Sequence, residues 1–398
     1  MSTIPQVVLL IETSRGYGRD VLGGIVRYAR LHGPWSLYLT PGDFKQAVPK
    51  IEQWGGTGII ARIETSEIGK ALLATKLPIV ALDLSQSQLD PRSPFRRCSE
   101  LSSDSHRAAQ LAATHLLDRG FQHYAFVGIA GRIWSQRREA AFCAAIREAG
   151  FEPHVYSPPR WRGDRQWHRE QSILEDWLRN LPRPIGLMAC NDDRGRKVIE
   201  ACRGAGVQVP EQAAVIGVDN DELLCELCDP PLSSVALNAE RGGFEAAAVL
   251  AGLMSRRIRK PRRIMAPALH VVTRRSSEIS ALDDFEVAQA LRIVQEKAAT
   301  SLWIDAIAGM LAMSRRSLEI RFERAMGRTI HDEIRRVRLE RARRLLLETD
   351  LSLDKIAAIA GFNTASYLGQ VFKSHTDMTP NQYRRSNRGE FELQRKGQ

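Results

Sequence analysis

Through its first 275 residues the chain alternates short apolar runs with longer amphipathic stretches, and beyond residue 285 the runs stop. A strand inside a parallel sheet is buried on both faces and reads as a continuous apolar run. The helix that carries the chain back to the next strand supplies the amphipathic stretch. Val7–Ile11, Trp35–Leu39, Gly58–Ala61, Pro78–Asp83, Tyr124–Gly128, Ile185–Ala189 and Ala214–Val218 read as strands. Val21–His32, Gln46–Trp54, Glu67–Ala74 and His106–Gly120 read as helices between them. The pattern restarts at Tyr124, which predicts two doubly wound α/β lobes with parallel sheets. Ligands of such sheets bind beyond the C-terminal strand ends.

Charge separates the last third from the rest. The chain of 398 residues carries 57 Lys+Arg and 46 Asp+Glu, a net +11. Residues 285–398 hold 20 and 14 of these, so net positive charge per residue is about three times higher there. An excess of this sign points to an anionic partner, most often nucleic acid. The composition, 43% apolar and 26% charged, excludes collagen, a disordered tail and a disulfide miniprotein. Six irregularly spaced cysteines make no disulfide framework, and the lone Cys225-x-x-Cys228 has neither a second pair nor a histidine partner. No secretory signal and no 18-residue apolar stretch is present, so a cytoplasmic, nucleoid-associated protein without a membrane partner is expected.

The strand ends carry polar groups suited to a sugar. Glu12-Thr13-Ser14-Arg15-Gly16-Tyr17-Gly18-Arg19-Asp20 follows the first strand, and Trp134-Ser135-Gln136-Arg137-Arg138-Glu139 follows Val127-Gly128. Asn191-Asp192-Asp193-Arg194 and Asp219-Asn220-Asp221 follow two later strands. Vicinal hydroxyls pair with carboxylates, amides and guanidinium groups, and a sugar's apolar face packs on an aromatic ring. Asp192, Asp219 and Arg138 are the polar candidates, with Trp134 or Tyr17 as the platform. Each also has a plainer reading: a carboxylate after a strand is often the N-cap of the next helix, Arg137 and Arg138 could form a solvated face, and Trp134 could be core. Gly16-Tyr17-Gly18 lacks the third glycine of a dinucleotide fingerprint. No phosphate-loop or nucleophile-elbow motif occurs, the nine histidines show no ligand spacing, and no cofactor is expected.

The succession Asn191-Asp192-Asp193, Val209-Pro210, Val215-Ile216-Gly217-Val218-Asp219 and Pro230-Pro231-Leu232-Ser233-Ser234-Val235 resembles the effector domain of lactose/galactose-repressor-type regulators. Asp104, with the helix ending Leu116-Leu117-Asp118-Arg119-Gly120, fits the same family. The resemblance covers about residues 5–275 and implies a two-lobed periplasmic-binding-protein-like fold. Repressors of that family carry a DNA-binding headpiece before the first strand, whereas here the strand begins at once.

The last third holds two helix-turn-helix-like units. In the first, a short helix ends near Leu311, Ser314 caps the next, and Leu318 and Phe322 lie at i and i+4 on a core face. In the second, Gly361 supplies the turn and Leu368 and Phe372 repeat the core pair. A basic helix over about Ile330–Glu348 lies between them. A recognition helix needs short polar or guanidinium side chains on one face and apolar ones on the other, and both second helices comply. An isolated Arg-rich amphipathic helix is often no more than a solvated face; tandem copies are not so easily dismissed.

From about Val287 to Arg385, including Met378-Thr379-Pro380-Asn381-Gln382-Tyr383-Arg384, the chain resembles the AraC/XylS family. That resemblance implies an all-α domain reading double-stranded operator DNA. By position, Arg316, Glu319 and Ile320 of the first unit and Ala365, Ser366, Gly369 and Gln370 of the second would face bases. Arg315, Asn363, Thr364 and Lys373 would meet phosphates. Ile320 stands where such proteins often carry Arg, Gly369 is a mid-helix glycine, and Asp377 replaces a common glycine.

The implied organisation is a sugar-sensing domain over 1–275, a linker over 276–284, an AraC-type domain over 285–390 and a tail over 391–398. This combination resembles the xylose operon regulators. It implies D-xylose as effector, a homodimer, activation through RNA polymerase, and effector contacts from Glu12, Tyr17, Arg19, Trp134, Arg138, Asp192 and Asp219. Arg19 after Tyr17, Trp134 with Arg138-Glu139, and Asp219-Asn220-Asp221-Glu222 agree with it; Glu12-Thr13-Ser14 replaces an amide-rich stretch. A sugar-responsive transcription regulator accounts for both halves. An α/β enzyme with a basic accessory domain would need an acid/base pair or a cofactor motif, and a receptor without DNA activity would leave the last third unexplained.

Overall fold

The computed structural model describes residues 4–39, 55–157, 166–279, 284–299 and 304–388. The helix expected over Gln46–Trp54, residues 280–283 of the expected linker and the 391–398 tail lie outside these. The chain packs into two units. One holds residues up to Ala113, Tyr124–Pro182 and Leu187–Ser277; the other holds the rest, chiefly Glu278 onward.

The first unit contains two six-stranded sheets. β1 (Gln6–Leu10), β2 (Ser36–Leu39), β3 (Gly58–Arg62), β4 (Ile79–Leu82), β5 (Ser99–Ser103) and β11 (Arg263–Ala266) form one, in the order β11-β5-β4-β3-β1-β2. β6 (His123–Val127), β7 (His154–Tyr156), β8 (Ile185–Ala189), β9 (Ala213–Asp219), β10 (Ser233–Leu237) and β12 (Ala268–Val272) form the other, in the order β12-β10-β9-β8-β6-β7. The registered pairs are parallel except β10 with β12, which closes the second sheet antiparallel. Every residue of β4, β8 and β10 is buried, as continuous apolar runs require. The chain crosses between sheets after β5, after β10 and after β11, so three connections join the lobes.

Helices α1 (Gly16–His32), α2 (Ser66–Ala74), α3 (Ser105–Leu117), α4 (Ile133–Glu148), α5 (Gln166–Arg179), α6 (Asp192–Ala205), α7 (Glu222–Glu226) and α8 (Ala239–Met254) connect the strands. α1 and α8 approach unusually closely. A Cβ on Gly24 of α1 would lie 1.9 Å from the Glu240 carbonyl oxygen, and one on Gly243 of α8 would lie 2.0 Å from that of Val21. Both obstacles are backbone, so neither can rotate aside. Tyr28 and Phe244 seal one end of this contact edge to face, centroids 5.3 Å apart.

The second unit is helical: α9 (Phe285–Lys297), α10 (Ile304–Met310), α11 (Arg315–Met326), α12 (Ile330–Glu348), α13 (Leu353–Ala360), α14 (Ala365–Thr376) and α15 (Pro380–Arg388). Its start signals are local. Asp284, Ser314, Thr329, Ser352 and Thr364 each accept a backbone N–H two or three residues into the helix they cap, contacts worth about 1 kcal/mol each. Two small cores form. Val287, Leu291, Ile307, Leu318 and Phe322 build one, and Ile356, Ala360, Leu368 and Phe372 the other. α12 belongs to both, giving Ile330 and Ile334 to the first and Leu339, Ala342 and Leu346 to the second. Gly361 turns the chain at φ +88°, and Asp377 ends α14 in the left-handed region at φ +55° without a glycine.

Among the described residues no helix is long and apolar enough to cross a membrane, and no cluster of potential ligands could hold a metal ion. Cys225 and Cys228 are free, buried thiols.

Two glycines give opposite expectations. Gly24→Ala forces backbone apart and is expected to cost about 3 kcal/mol or more. Gly369→Ala fills open space in α14 and is expected to stabilise by about 0.5–1 kcal/mol. Urea unfolding of the two variants beside wild type tests both signs; a harmless Gly24→Ala would contradict the close α1–α8 packing.

Candidate functional site

In the first unit, strand ends from both sheets converge on a solvent-open cavity. Glu12, Arg15 and Tyr17 enter it from the segment after β1, Arg62 from the end of β3, Asp83 after β4 and Ser103 from the end of β5. Trp134 and Arg138 come from α4, Asn191 follows β8 and Asp219 ends β9. Glu12, Tyr17, Trp134, Arg138 and Asp219 were expected there. Arg15 and Asn191 belong to the polar strand-end segments but were not singled out, and Arg62, Asp83 and Ser103 were not expected.

Two buried guanidinium groups organise the walls. Arg138 donates to Ser103 Oγ at 3.2 Å, to Asp219 Oδ1 at 3.3 Å and to the Cys190 carbonyl, and it lies 5.3 Å from the Trp134 ring centroid. It is therefore no solvated face, and Trp134 stacks on it. Arg62 donates to Glu12 Oε2 at 3.0 Å and to Asp83 Oδ2 at 2.8 Å. Burial opposes the Arg62 charge, but Glu12 and Asp83 outweigh it and hold the group protonated more firmly than usual. Glu64 pairs with Arg132 just outside.

Both acids that end strands here sit in left-handed backbone, Asp83 at φ +47° and Asp219 at φ +109°, with Asn220 at φ +53° following. Such strain persists only where neighbours fix it, and it gathers at ligand sites. The fixing is visible after β9. The Asn220 N–H donates to Ser234 Oγ at 3.0 Å, and the Asp221 N–H to Asp192 Oδ2 at 2.8 Å. Asp192 Oδ1 accepts from Ser234 Oγ at 2.6 Å. Asp192 is thus not among the lining residues; both its oxygens shape the turn that presents Asp219. Nor is it the N-cap of α6, for Asn191 accepts the Arg194 N–H at 3.0 Å. Arg19 also lies outside the cavity, where it donates to both Asp221 oxygens at 2.9 Å. Asp221 Oδ2 accepts the Gly16 N–H at 2.7 Å, and Arg15 pairs with Asp193 at 2.7 Å, so several bonds cross between the lobes at the rim.

In the second unit, Arg316, Ile320, Asn363, Thr364, Ser366, Gln370 and Lys373 are exposed on α11, on α14 or just before it. Ile320 is 49% exposed, an apolar side chain that no core claims. Arg315 is held by Asp305 at 3.1 Å and Glu319 at 3.0 Å, so both it and Glu319 are engaged within the protein. Ala365 differs from expectation: its methyl packs against the second core. Tyr367, 46% exposed beside Ser366, was given no role from the sequence. Behind α11, fully buried Glu333 accepts from Arg328 at 2.7 Å and from Arg336 at 2.7 and 2.9 Å. Burial opposes its charge, yet the two arginines hold its carboxyl below the ordinary range.

Burial raises the Asp219 carboxyl to about 6, against the pull of Arg138, and burial with the Asp219 charge raises Asp192 as well. A carboxyl raised in the folded state favours folding below its unfolded value near 3.8, and that contribution is lost as pH rises through about 6. Wild type is therefore expected to gain stability relative to Asp219→Asn as pH falls from about 7 to about 4. Urea unfolding across that range tests it, and parallel profiles would reject it.

Family models match a XylR N-terminal domain at residues 6–95, a periplasmic binding protein-like domain at 113–277 and a helix-turn-helix domain at 307–386. The xylose operon regulatory protein of Escherichia coli K12 is 32% identical over 383 residues, 95% of this chain and 96% of that one. Its Haemophilus influenzae counterpart is 30% identical over 385 residues, 95% and 98% of the two chains. A solved structure described as the xylose-binding transcription activator xylR superposes with a TM-score of 0.61 at 31% identity, covering 97% of this chain and 99% of that one. The resemblances drawn from the sequence hold, and with them the reading as a DNA-binding regulator rather than an enzyme. The chain belongs to the family of xylose operon regulatory proteins.

Proposed function

We propose that this regulator senses D-xylose in the cavity between its lobes and activates a pentose-utilisation operon. The observation that carries the reading is the cavity itself: carboxylates and guanidinium groups at strand ends of both sheets, with Trp134 stacked on Arg138. Hydroxyls are the ligand groups that satisfy such donors and acceptors together. The names of the full-length relatives support the pentose. A sugar held by both lobes favours one lobe arrangement and biases how a homodimer presents its DNA-binding domains to operator half-sites and to RNA polymerase. Because such coupling is reciprocal, operator DNA tightens sugar binding if sugar tightens DNA binding. The parsing into 1–275, a 276–284 linker, 285–390 and a 391–398 tail remains part of this proposal, as does action in the cytoplasm at the nucleoid.

On the DNA side, Arg316, Ile320, Ser366 and Gln370 are the proposed base readers, with Asn363, Thr364 and Lys373 toward phosphates. Glu319 and Ala365 are less suited, one engaged by Arg315 and the other by the core. Gln370 offers an amide that pairs bidentately with adenine, and Ile320 an apolar surface for a thymine methyl.

Calorimetric titration of the full chain with D-xylose, L-arabinose, D-ribose and D-glucose tests the effector. Saturable binding of D-xylose in preference to the others is expected; preference for another sugar would reassign the effector and no binding would remove the sugar reading. For DNA, Gln370→Ala is expected to weaken specific binding by about 1–3 kcal/mol and random-sequence binding little, while Lys373→Ala lowers the salt slope by about one. Equal losses on both DNAs from Gln370→Ala would remove its base-reading role.

A further inference from the structure

The Tyr17 hydroxyl and one oxygen of Asp83 remain unused by the network that holds the cavity together. Both are buried and line it, yet the Tyr17 hydroxyl and Asp83 Oδ1 have no hydrogen-bond partner among the described residues. Asp83 is half engaged, its Oδ2 accepting from Arg62 at 2.8 Å, and its left-handed backbone fixes where the other oxygen points. Burial, and then the Asp83 charge, push the Tyr17 phenol up, so it stays protonated and can donate. An unpaired buried donor and an unpaired buried acceptor on one cavity are each costly, and a single hydroxyl satisfies both.

The arginines set the sign of the ligand. Arg15 is paired with Asp193 at 2.7 Å, Arg62 with Glu12 and Asp83, and Arg138 with Asp219 at 3.3 Å. No guanidinium lining the cavity is left uncompensated by a carboxylate, while Asp83 Oδ1 is buried without a partner. A ligand carboxylate or phosphate would meet that oxygen without a free cation to offset it.

We infer that Tyr17 and Asp83 form a hydroxyl subsite, in which an effector hydroxyl accepts from Tyr17 and donates to Asp83 Oδ1, and that the buried, unpaired Asp83 oxygen makes the pocket take the neutral sugar and reject its acid and phosphate forms. The inference rests on the sugar reading of this cavity and adds which side chains hold a hydroxyl and how charged derivatives are excluded.

The test pairs affinity with stability. The full chain and its Tyr17→Phe variant are titrated with D-xylose, L-arabinose, D-ribose, D-glucose, D-xylonate and D-xylose 5-phosphate, and melted without ligand. Tyr17→Phe removes a hydroxyl that has no partner in the protein. Its ligand-free melting temperature is therefore expected to hold or rise by a few degrees, while affinity for the bound sugar falls roughly tenfold or more. Residues with a purely structural role do not move these two readouts in opposite senses. Wild type is expected to bind the neutral sugar at least about a hundredfold more tightly than either anion. Undiminished sugar binding by Tyr17→Phe would overturn the subsite while sparing the sugar reading. Equal or tighter binding of D-xylonate or the 5-phosphate would overturn the neutral class. Silence of wild type toward all six compounds would overturn the sugar reading, and this inference with it. Asp83→Asn gives a second readout: it keeps an acceptor and loses the charge, so discrimination against D-xylonate is expected to narrow.

Discussion

The Arg138 guanidinium is the point through which the ligand-binding unit is organised. It sits on α4, almost wholly buried, and reaches Ser103 at the end of β5, the carbonyl of Cys190 after β8, and Asp219 at the end of β9. One planar group thus measures the positions of strand ends from both sheets. A buried cation of this kind is tolerated because its partners surround it; removing one partner leaves a charge uncompensated in a poorly solvated place. Asp219 bears the complementary load. Its carboxyl stays at the site only because Arg138 attracts it and because the turn behind it, fixed by Asp192 and Ser234, leaves its backbone no easier conformation.

How far the sequence reveals this depends on whether a residue's role is set locally. The alternation of apolar runs marks the strands because burial on both faces leaves no other pattern, and Ser314 and Gly361 mark helix ends because capping is short-range. Glu12, Trp134, Arg138 and Asp219 are legible because each lies just beyond an apolar run. Asp83 was read as the end of a strand and Arg62 was passed over just beyond one, although a charge inside Ile59-Ile60-Ala61-Arg62-Ile63 is itself a signal, since a buried strand keeps a guanidinium only beside carboxylates. Asp192 shows the limit. Its spacing is that of a ligand-binding residue, but its oxygens belong to Ser234 and the Asp221 amide, and Ser234 is 42 residues away in the chain. No local pattern reports such a partner.

In the helical unit the same economy appears in α12. At 19 residues it extends about 28 Å, and opposite ends of it belong to different cores. The two helix-turn-helix units are therefore not beads on a flexible string. Their spacing is set by a rod whose register is locked at each end by aliphatic side chains, with Glu333 and its two arginines bracing the N-terminal half. A protein built this way places two recognition helices with little ordering entropy left to lose on DNA.

The bonds across the rim carry a kinetic meaning. Arg15–Asp193, Arg19–Asp221 and the Gly16 amide on Asp221 join one lobe to the other over the cavity, and their guanidinium groups are partly solvated. The lobes can separate at the rim only when these bonds part. Partly solvated ion pairs are screened by salt, whereas the buried pairs beneath them are screened far less. Ionic strength therefore acts on how readily the lobes part more than on the pairs that build the cavity walls. The hold of one lobe on the other is thus the salt-sensitive part of this unit, and the cavity walls are its salt-resistant part.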